Sequence, residues 1–452
     1  MMRGRALAIA LVASFMTLLD VSIVNVAIPS MQADLHMGAS GLQWVLSGYA
    51  LTFGLLLVPA GRFGDARGIG PVFVVGLLGF TAASAAAGAA QSEAWLVTAR
   101  LVQGAFAGVV NPQVTGLIQR LYPPPERGRP FGLLGATIGI ATATGPLLGG
   151  VIIQFGGATD GWRWVFYINV PVGLVTAVLG WRLLPQRAAP RGRRESLDPV
   201  GVLLLGLAVM QILLPLIEQR HWYLVGTGIV TLGGFVWWEL RYPGVPLADL
   251  QLFRRRSYAL GTIVVLLYFA GFTANFFILT LYLQRGQHFT ALQAGLAVTP
   301  FALGSGLAAF AGGRVVNRFG RPLVVVGLLT VITGLAGTIA VLYTVDTPWA
   351  LAAPLLVAGV GSGLVITPNQ TLTLADVPVD RAGSAAGVVQ TAQRVGAAFG
   401  IAAIGAVFFA RLAAASGNWT AAFETALMVA IGSLVLALAA AVTDVTIARR
   451  SR

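Results

Sequence analysis

The chain has 452 residues, only 10% of them charged, and a mean hydropathy of +0.82. Soluble domains carry about 25% charged residues, so soluble enzymes, nucleic-acid binders and disordered scaffolds are excluded in favour of an all-α polytopic membrane protein. The net charge of +13 rests on arginine alone, since lysine is absent, and the lack of cysteine removes disulfides, thiolate metal sites and thiol nucleophiles together.

A helix needs about 20 mostly apolar residues to cross the hydrocarbon core. That ruler predicts spans at 6–29, 43–61, 71–90, 94–119, 131–153 and 164–184. Two more follow at 199–218 and 222–239, parted only by Gln219-Arg220-His221. The last six are 258–284, 291–313, 322–344, 348–375, 384–410 and 421–443. The opening Met2-Arg-Gly-Arg resembles the charged start of a signal peptide. The long apolar run behind it lacks a clean small-residue cleavage site, which predicts a retained first helix.

Basic residues in short loops stay cytoplasmic. With the N-terminus inside, the loops that hold Arg62, Arg67, Arg120, Arg127, Arg129, Arg187 to Arg194, Arg254 to Arg256, Arg314 to Arg321 and Arg449 to Arg452 all fall on the cytoplasmic side. Only Arg163, Arg220, Arg285 and Arg411 fall outside, and Arg100 and Arg394 lie within spans. Deleting any one span would invert every later loop, so fourteen spans with both termini cytoplasmic is the expected topology. The basic surplus then serves orientation and contact with anionic lipid, not nucleic acid. The tryptophans, at predicted span ends, agree with this map.

Internal similarity divides the chain. Gly61-Arg-Phe-Gly-Asp-Ala-Arg-Gly68 precedes the third span, and Gly313-Arg-Val-Val-Asn-Arg-Phe-Gly-Arg321 precedes the eleventh. Gly108, Pro112, Arg127 and Gly132 pair in the same way with Gly363, Pro368, Arg381 and Gly387. Parallel repeats of this kind are common in transporters. The expected units are a six-helix bundle (1–184), a two-helix insert with basic joints (185–257), a second six-helix bundle (258–444) and a cytoplasmic tail (445–452).

Asp20 is the acidic residue placed deep in a span, whereas nearly all the others fall in loops or at span ends. A carboxylate at that depth needs a cavity or a partner. It either carries a proton between two environments or makes a structural contact between helices. Arg100, inside the fourth span with Gln103 and Gly104, is the natural counter-charge, because arginine stays protonated and can tune a carboxylate or bind an anion. Arg394, with Gln390 and Gln393, forms a second polar cluster, which either lines a cavity or packs. The fifth span carries Gly135, Gly139, Gly145-Pro146, Gly149 and Gly150, small residues that let helices approach closely and a proline that bends them. His36, His221 and His288 are far apart and in external loops, so no metal site is expected. No phosphate-binding glycine loop, nucleophile elbow or paired-carboxylate motif appears.

Leu19-Asp-Val-Ser-Ile-Val-Asn-Val-Ala-Ile-Pro29, Arg100-Leu-Val-Gln-Gly104, Gly135 through Gly150 and Trp162-Arg-Trp-Val-Phe-Tyr-Ile-Asn-Val-Pro171 together resemble the signatures of one family. Over essentially its whole length the chain resembles a major facilitator superfamily transporter, of the fourteen-helix drug:proton antiporter family. The resemblance implies the MFS fold: two six-helix bundles around a central cavity, with a two-helix insert. It implies that Asp20, Arg100 and Gln103 carry the proton-linked step and that the fifth-span glycines form a hinge or seal. Gly61, Asp65, Arg67 and Gly68 would latch the cytoplasmic side, echoed by Gly313, Asn317, Arg318 and Arg321. The latch departs from the family pattern, with Ala66 directly after the aspartate, Arg67 one place late, and Asn317 where the second copy would carry an acid.

The function expected is export of small amphipathic or lipophilic compounds in exchange for protons, by a monomer with no cofactor and no enzymatic activity. Asn25, Asn111, Gln113, Asn275, Asn369, Gln390 and Arg394 are the candidate substrate anchors. The alternatives are proton-coupled uptake of a small metabolite or siderophore, and a non-transporting sensor or membrane-embedded enzyme.

Overall fold

The computed structural model describes residues 2–123, 126, 128–157, 159–184, 198–244, 246–248, 250–344, 347–375, 377 and 382–450. Among them the chain is helical, with no strand: α1 (Met2–Leu35), α2 (Ala39–Arg67), α3 (Ile69–Gly88), α4 (Glu93–Leu121), α5 (Gly128–Gly156), α6 (Gly161–Tyr167), α7 (Asn169–Leu183), α8 (Pro199–Glu218), α9 (Tyr223–Arg241), α10 (Arg256–Leu281), α11 (Ala291–Phe319), α12 (Pro322–Thr344), α13 (Ala352–Leu374), α14 (Ala382–Ala414) and α15 (Trp419–Arg450). Twelve helical stretches among the described residues are long and apolar enough to cross a membrane. The other two, α4 and α5, are 29 residues each. Arg100, Gln103 and Gln113, which lower the hydropathy of α4, are buried in the protein.

The predicted span 164–184 is two helices in line. Pro171 has no N–H to give the Tyr167 carbonyl, and the chain turns at Ile168 between α6 and α7. The far end of α10 widens into a π turn, Tyr282–Gly286. The basic stretch 187–194 lies outside the described residues.

The two halves use the same pairings. In the first, α2 and α3 pack on α4, α1 on α5 and α3 on α7; in the second, α11 and α12 pack on α13, α10 on α14 and α12 on α15. Glycines make the correspondence exact at the backbone. A methyl group placed on Gly104 or Gly108 of α4 would sit 2.4 Å from the Tyr49 carbonyl oxygen or 2.5 Å from that of Phe53. On Gly359 or Gly363 of α13 it would meet the Phe301 carbonyl at 2.1 Å or that of Ser305 at 2.3 Å. Helices separated by so little space pack by backbone contact, the usual device where lipid offers no hydrophobic drive.

The bundles meet along two seams, α2 with α14 and α5 with α11. On the first, Ser47 Oγ donates to the Ala398 carbonyl at 3.1 Å and Thr391 Oγ1 to that of Gly54 at 2.9 Å. The second closes at the end opposite the termini, where Gly150 abuts the backbone of Ala291 and Leu292 and Gly295 abuts that of Pro146. There too, Gln284 Nε2 and Arg285 Nη2 from the π turn each donate at 2.9 Å to α1, to the carbonyls of Val26 and Pro29. The insert helix α8 lies over the α2–α14 seam through Val209, Leu213 and Ile217. Its partner α9 keeps large apolar side chains such as Ile229, Val230 and Leu240 exposed, as lipid contact requires.

Candidate functional site

Asp20 is fully buried between α1, α4 and the start of α7. Arg100 Nη1 donates to its Oδ2 at 2.6 Å, while Gln103 Nε2 and Asn169 Nδ2 donate to Oδ1 at 2.9 and 3.0 Å. The same Arg100 nitrogen donates to Gln103 Oε1 at 2.7 Å, and Nε reaches the Val45 carbonyl at 3.3 Å. The guanidinium lies 4.1 Å from the centre of the Tyr49 ring and 5.6 Å from that of Phe166. Asn169 also donates to Ser84 Oγ, which donates to the Phe166 carbonyl. The spacing of Arg100 and Gln103 puts both on one face of α4, one turn apart. The break before Asn169 frees its side chain to enter between α1 and α3. The result is a closed network in which a buried anion has one cation and three donated hydrogen bonds, the arrangement that makes a deep carboxylate tolerable. Adding a proton to Asp20 removes its attraction for Arg100 and turns one acceptor into a donor, so the network must rearrange.

Asn169, Ser84 and Tyr49 are parts of this site that the sequence did not single out. Asn169 lies within the quoted Trp162-to-Pro171 motif, and a polar amide two residues before a proline inside a span was the signal available.

The α5 glycines have two faces. A methyl on Gly145 would meet Ser22 Oγ at 1.9 Å, and one on Gly149 would meet the Ile23 carbonyl at 3.0 Å, both on α1. Gly150 and the Pro146 carbonyl instead face α11 in the other bundle. The surroundings of Gly135 and Gly139 lie outside the described residues, as do the side chains of Asp65 and Asn317. In the loop, Gly68 adopts φ 103, open to glycine, and its N–H closes α2 on the Gly64 carbonyl at 2.9 Å. A methyl on Gly61 would lie 3.4 Å from Pro112, and the Arg67 guanidinium stacks over Phe63.

In the second copy, Gly313 faces Thr367 and Arg318 is exposed beside Phe319. Arg321 turns inward: Nε pairs with Asp444 Oδ2 at 2.7 Å, Nη1 donates to Asn369 Oδ1 at 2.7 Å, and Nη2 donates to the Ser257 carbonyl. Arg256 reaches the other Asp444 oxygen at 2.9 Å. This network ties α10, α12, α13 and α15 of one bundle to each other. Asp444, Asp198 and Glu239 are all buried, although their positions near span ends suggested contact with water. Arg256 and Arg321 cover Asp444, and the backbone of Leu247 and Ala248 covers Asp198 and Glu239.

The anchor residues separate into two groups. Asn111 Nδ2 donates to Thr17 Oγ1 and the Ala107 carbonyl, Gln113 Nε2 to the Ala60 carbonyl, and Asn369 Nδ2 to that of Gly261, so these amides serve helix packing in this state. Asn25 Nδ2 bonds its own helix while its Oδ1 is buried without a donor among the described residues. Asn275 is buried in α10. Gln390 and Gln393 border a small pocket with Tyr268, Phe269 and Gln370. Arg394 crosses the seam to lie 4.0 Å from the centre of the Phe53 ring on α2. Beside that pocket, Tyr268, Phe272, Phe276 and Phe301 form a continuous aromatic wall, with successive ring centres 4.9–5.4 Å apart.

A family model described as "Major Facilitator Superfamily" matches residues 10–401. Among curated proteins, the chain is 36% identical to a probable actinorhodin transporter of Streptomyces coelicolor, covering 91% of this chain and 73% of that protein. It is 36% identical to the puromycin resistance protein pur8 of Streptomyces alboniger, covering 90% and 82%. It is 32% identical to a tetracenomycin C resistance and export protein of Streptomyces glaucescens, covering 91% and 77%. Among solved structures, an inward-facing, occupied bacterial homologue of the human lysosomal transporter Spinster superposes with a TM-score of 0.72 at 15% identity, covering 98% of this chain and 97% of that one. A D-xylose–proton symporter gives 0.68 at 14% identity, covering 96% and 97%. With paired bundles, a buried charge network on α1 and α4, and this family match over most of its length, the chain belongs to the major facilitator superfamily.

Proposed function

We propose that the protein exports small amphipathic or lipophilic compounds in exchange for protons across the cytoplasmic membrane, as a monomer without a cofactor. The observation that carries this reading is the Asp20–Arg100–Gln103–Asn169 network, a titratable group held in a balanced, fully buried set of partners. Similarity to antibiotic resistance and export proteins supports the direction and the substrate class. The units 1–184, 185–257 and 258–444 then act as first bundle, insert and second bundle, with both termini and the 445–452 tail in the cytoplasm.

The contacts that join α1 and α5 to α10 and α11 close the end away from the termini, and in this reading the cavity is entered from the cytoplasm. There a lipophilic compound meets the Tyr268–Phe301 aromatic wall, with Asn25, Asn275, Gln390 and Arg394 as polar anchors. The wall supplies the apolar lining typical of small-molecule sites, and the anchors fix orientation. Rocking of the bundles exposes the cavity to the opposite side, where the compound leaves and a proton reaches Asp20. The Gly145–Gly150 face of α5 keeps α1 and α11 in close contact so that protons do not leak between them. Gly61, Asp65, Arg67 and Gly68, at the end of α2, and Gly313, Asn317, Arg318 and Arg321, at the end of α11, mark the two segments that come together when the cytoplasmic side closes.

Inverted vesicles holding a pH gradient test the reading, with a panel of dyes, antibiotics and small metabolites. Substrate-evoked proton release is expected from the natural sequence and not from Asp20→Asn. Flux that survives in Asp20→Asn would move coupling to another residue.

A further inference from the structure

The insert contains a further buried carboxylate site, apart from those of Asp20 and Asp444. Asp198 starts α8 with φ 42, in the left-handed region, and is fully buried. Its Oδ1 accepts from Gly201 N–H at 3.0 Å and Trp238 Nε1 at 2.8 Å, and its Oδ2 accepts from Leu247 N–H at 3.3 Å. Glu239, on the facing helix α9, is 4% exposed. Its Oε2 accepts from Ala248 N–H at 3.1 Å, whereas its Oε1 is buried and receives no donor among the described residues. That orphan oxygen is aimed at Asp198. A methyl on Gly201 would lie 2.3 Å from Asp198 Oδ2 and 2.6 Å from Glu239 Oε1, and the two side chains are within hydrogen-bonding reach of each other.

Two carboxylate oxygens are both acceptors. Facing each other away from water, they would repel and leave a buried group unsatisfied, a costly arrangement. One proton between them removes both penalties. Asp198 already has three donors that favour its charged form, so the proton belongs on Glu239 Oε1, which donates it to Asp198 Oδ2. The nearby cation is Arg62 of α2, buried, with Nη2 bonded to the Pro246 carbonyl. Val58 of α2, Phe235 of α9 and Leu247 form an apolar cluster at this joint, with Val388 of α14 packed against it.

We propose that Asp198 and Glu239 form a second proton-binding site, which holds one proton where the insert docks on α2. The docked joint needs that proton, because its loss places two negative charges together beneath Leu247 and Ala248. At the other end the insert is fixed by a different bond, Trp44 Nε1 to Glu218 Oε1 at 3.1 Å. Proton release to the cytoplasm therefore loosens one end of the insert and leaves the other in place. This goes beyond the export reading and does not rest on it.

The first experiment is infrared difference spectroscopy on the purified full-length protein, taken from neutral to alkaline pH. The protonated-carboxyl C=O band of the natural sequence is expected to lose one component in Glu239→Gln. Identical bands in the two proteins would overturn the proposal. If Glu239→Gln does not fold, Asp198→Asn replaces it, with the same loss expected, because its amide can donate to an ionised Glu239. The second measurement uses the cysteine-free background. In Val58→Cys/Phe235→Cys, bismaleimide cross-linking is expected to fall severalfold as pH rises, against the trend of thiol reactivity, and to lose that fall when Glu239→Gln is added. A yield that rises with pH in both backgrounds would overturn it. Neither readout requires transport, so a failed export assay and a failed proton site remain distinguishable.

Discussion

Asp20 can be changed informatively only by keeping its shape. Removing one partner of a buried ion pair costs about 3–5 kcal/mol, so Asp20→Ala would strand Arg100, whereas Asp20→Asn keeps an acceptor for it. Arg100→Lys is not conservative here. The guanidinium reaches Asp20, Gln103 and the Val45 carbonyl while lying over Tyr49, a set of contacts that an ammonium cannot reproduce. Substrate-driven proton flux in Arg100→Lys is expected to fall at least about tenfold at normal expression, consistent with a loss of about 1.5–3 kcal/mol per hydrogen bond to a charged group. Asn169→Ala removes one donor to Asp20 and is expected to slow initial flux by roughly tenfold by the same reasoning, while Asn169→Gln or Ser recovers part of it. Asp20 and Arg100 were legible because ionisable residues deep in apolar runs are rare, and Gln103 because it follows Arg100 on the same stretch. Asn169 and Ser84 were not, because neutral polar residues are common in spans and only proximity gives them a role.

At the scale of the helix, glycine placement decides which surfaces may touch. Gly150 lies against the Leu292 Cα and the Ala291 carbonyl, backbone atoms that cannot rotate away. Gly150→Val is therefore expected to force α5 from α11 at the end away from the termini. A cysteine introduced at Thr290, exposed at the start of α11, reports the change. Its labelling by a membrane-impermeant maleimide from outside should rise severalfold in Gly150→Val; unchanged labelling would mean the seam absorbs the side chain. Gly226, with open space around it on α9, is the control, and Gly226→Val should leave labelling unchanged. The helices themselves follow from hydropathy and length. The break between α6 and α7 was not predicted, although Pro171 marks it, because a proline near the start of a span is often accommodated without one.

At the scale of the molecule, the two bundles are held together at the end away from the termini by hydrogen bonds from the α10 π turn to α1. If transport requires that end to open, tethering it must stop the cycle. Val26→Cys/Gln284→Cys joined by a short, reducible bis-thiosulfonate is expected to abolish substrate-driven flux and to regain it on reduction. Full activity of the cross-linked protein would show that the two sides need not part. The single cysteine variants, treated in the same way, should retain flux.

The sequence by itself determined the membrane class, the helix count and the repeat that relates the halves. These are properties of runs and periods, and hydrophobic burial in lipid enforces them locally, span by span. The tertiary structure alone decided that Asn169 completes the Asp20 network, that Arg321 meets Asp444 within one bundle, and that Glu239 faces Asp198 across the insert hairpin. Each of those depends on the rotation of one helix about its axis relative to another. An apolar run leaves that rotation nearly undetermined, and the packing of small residues against a neighbouring backbone fixes it.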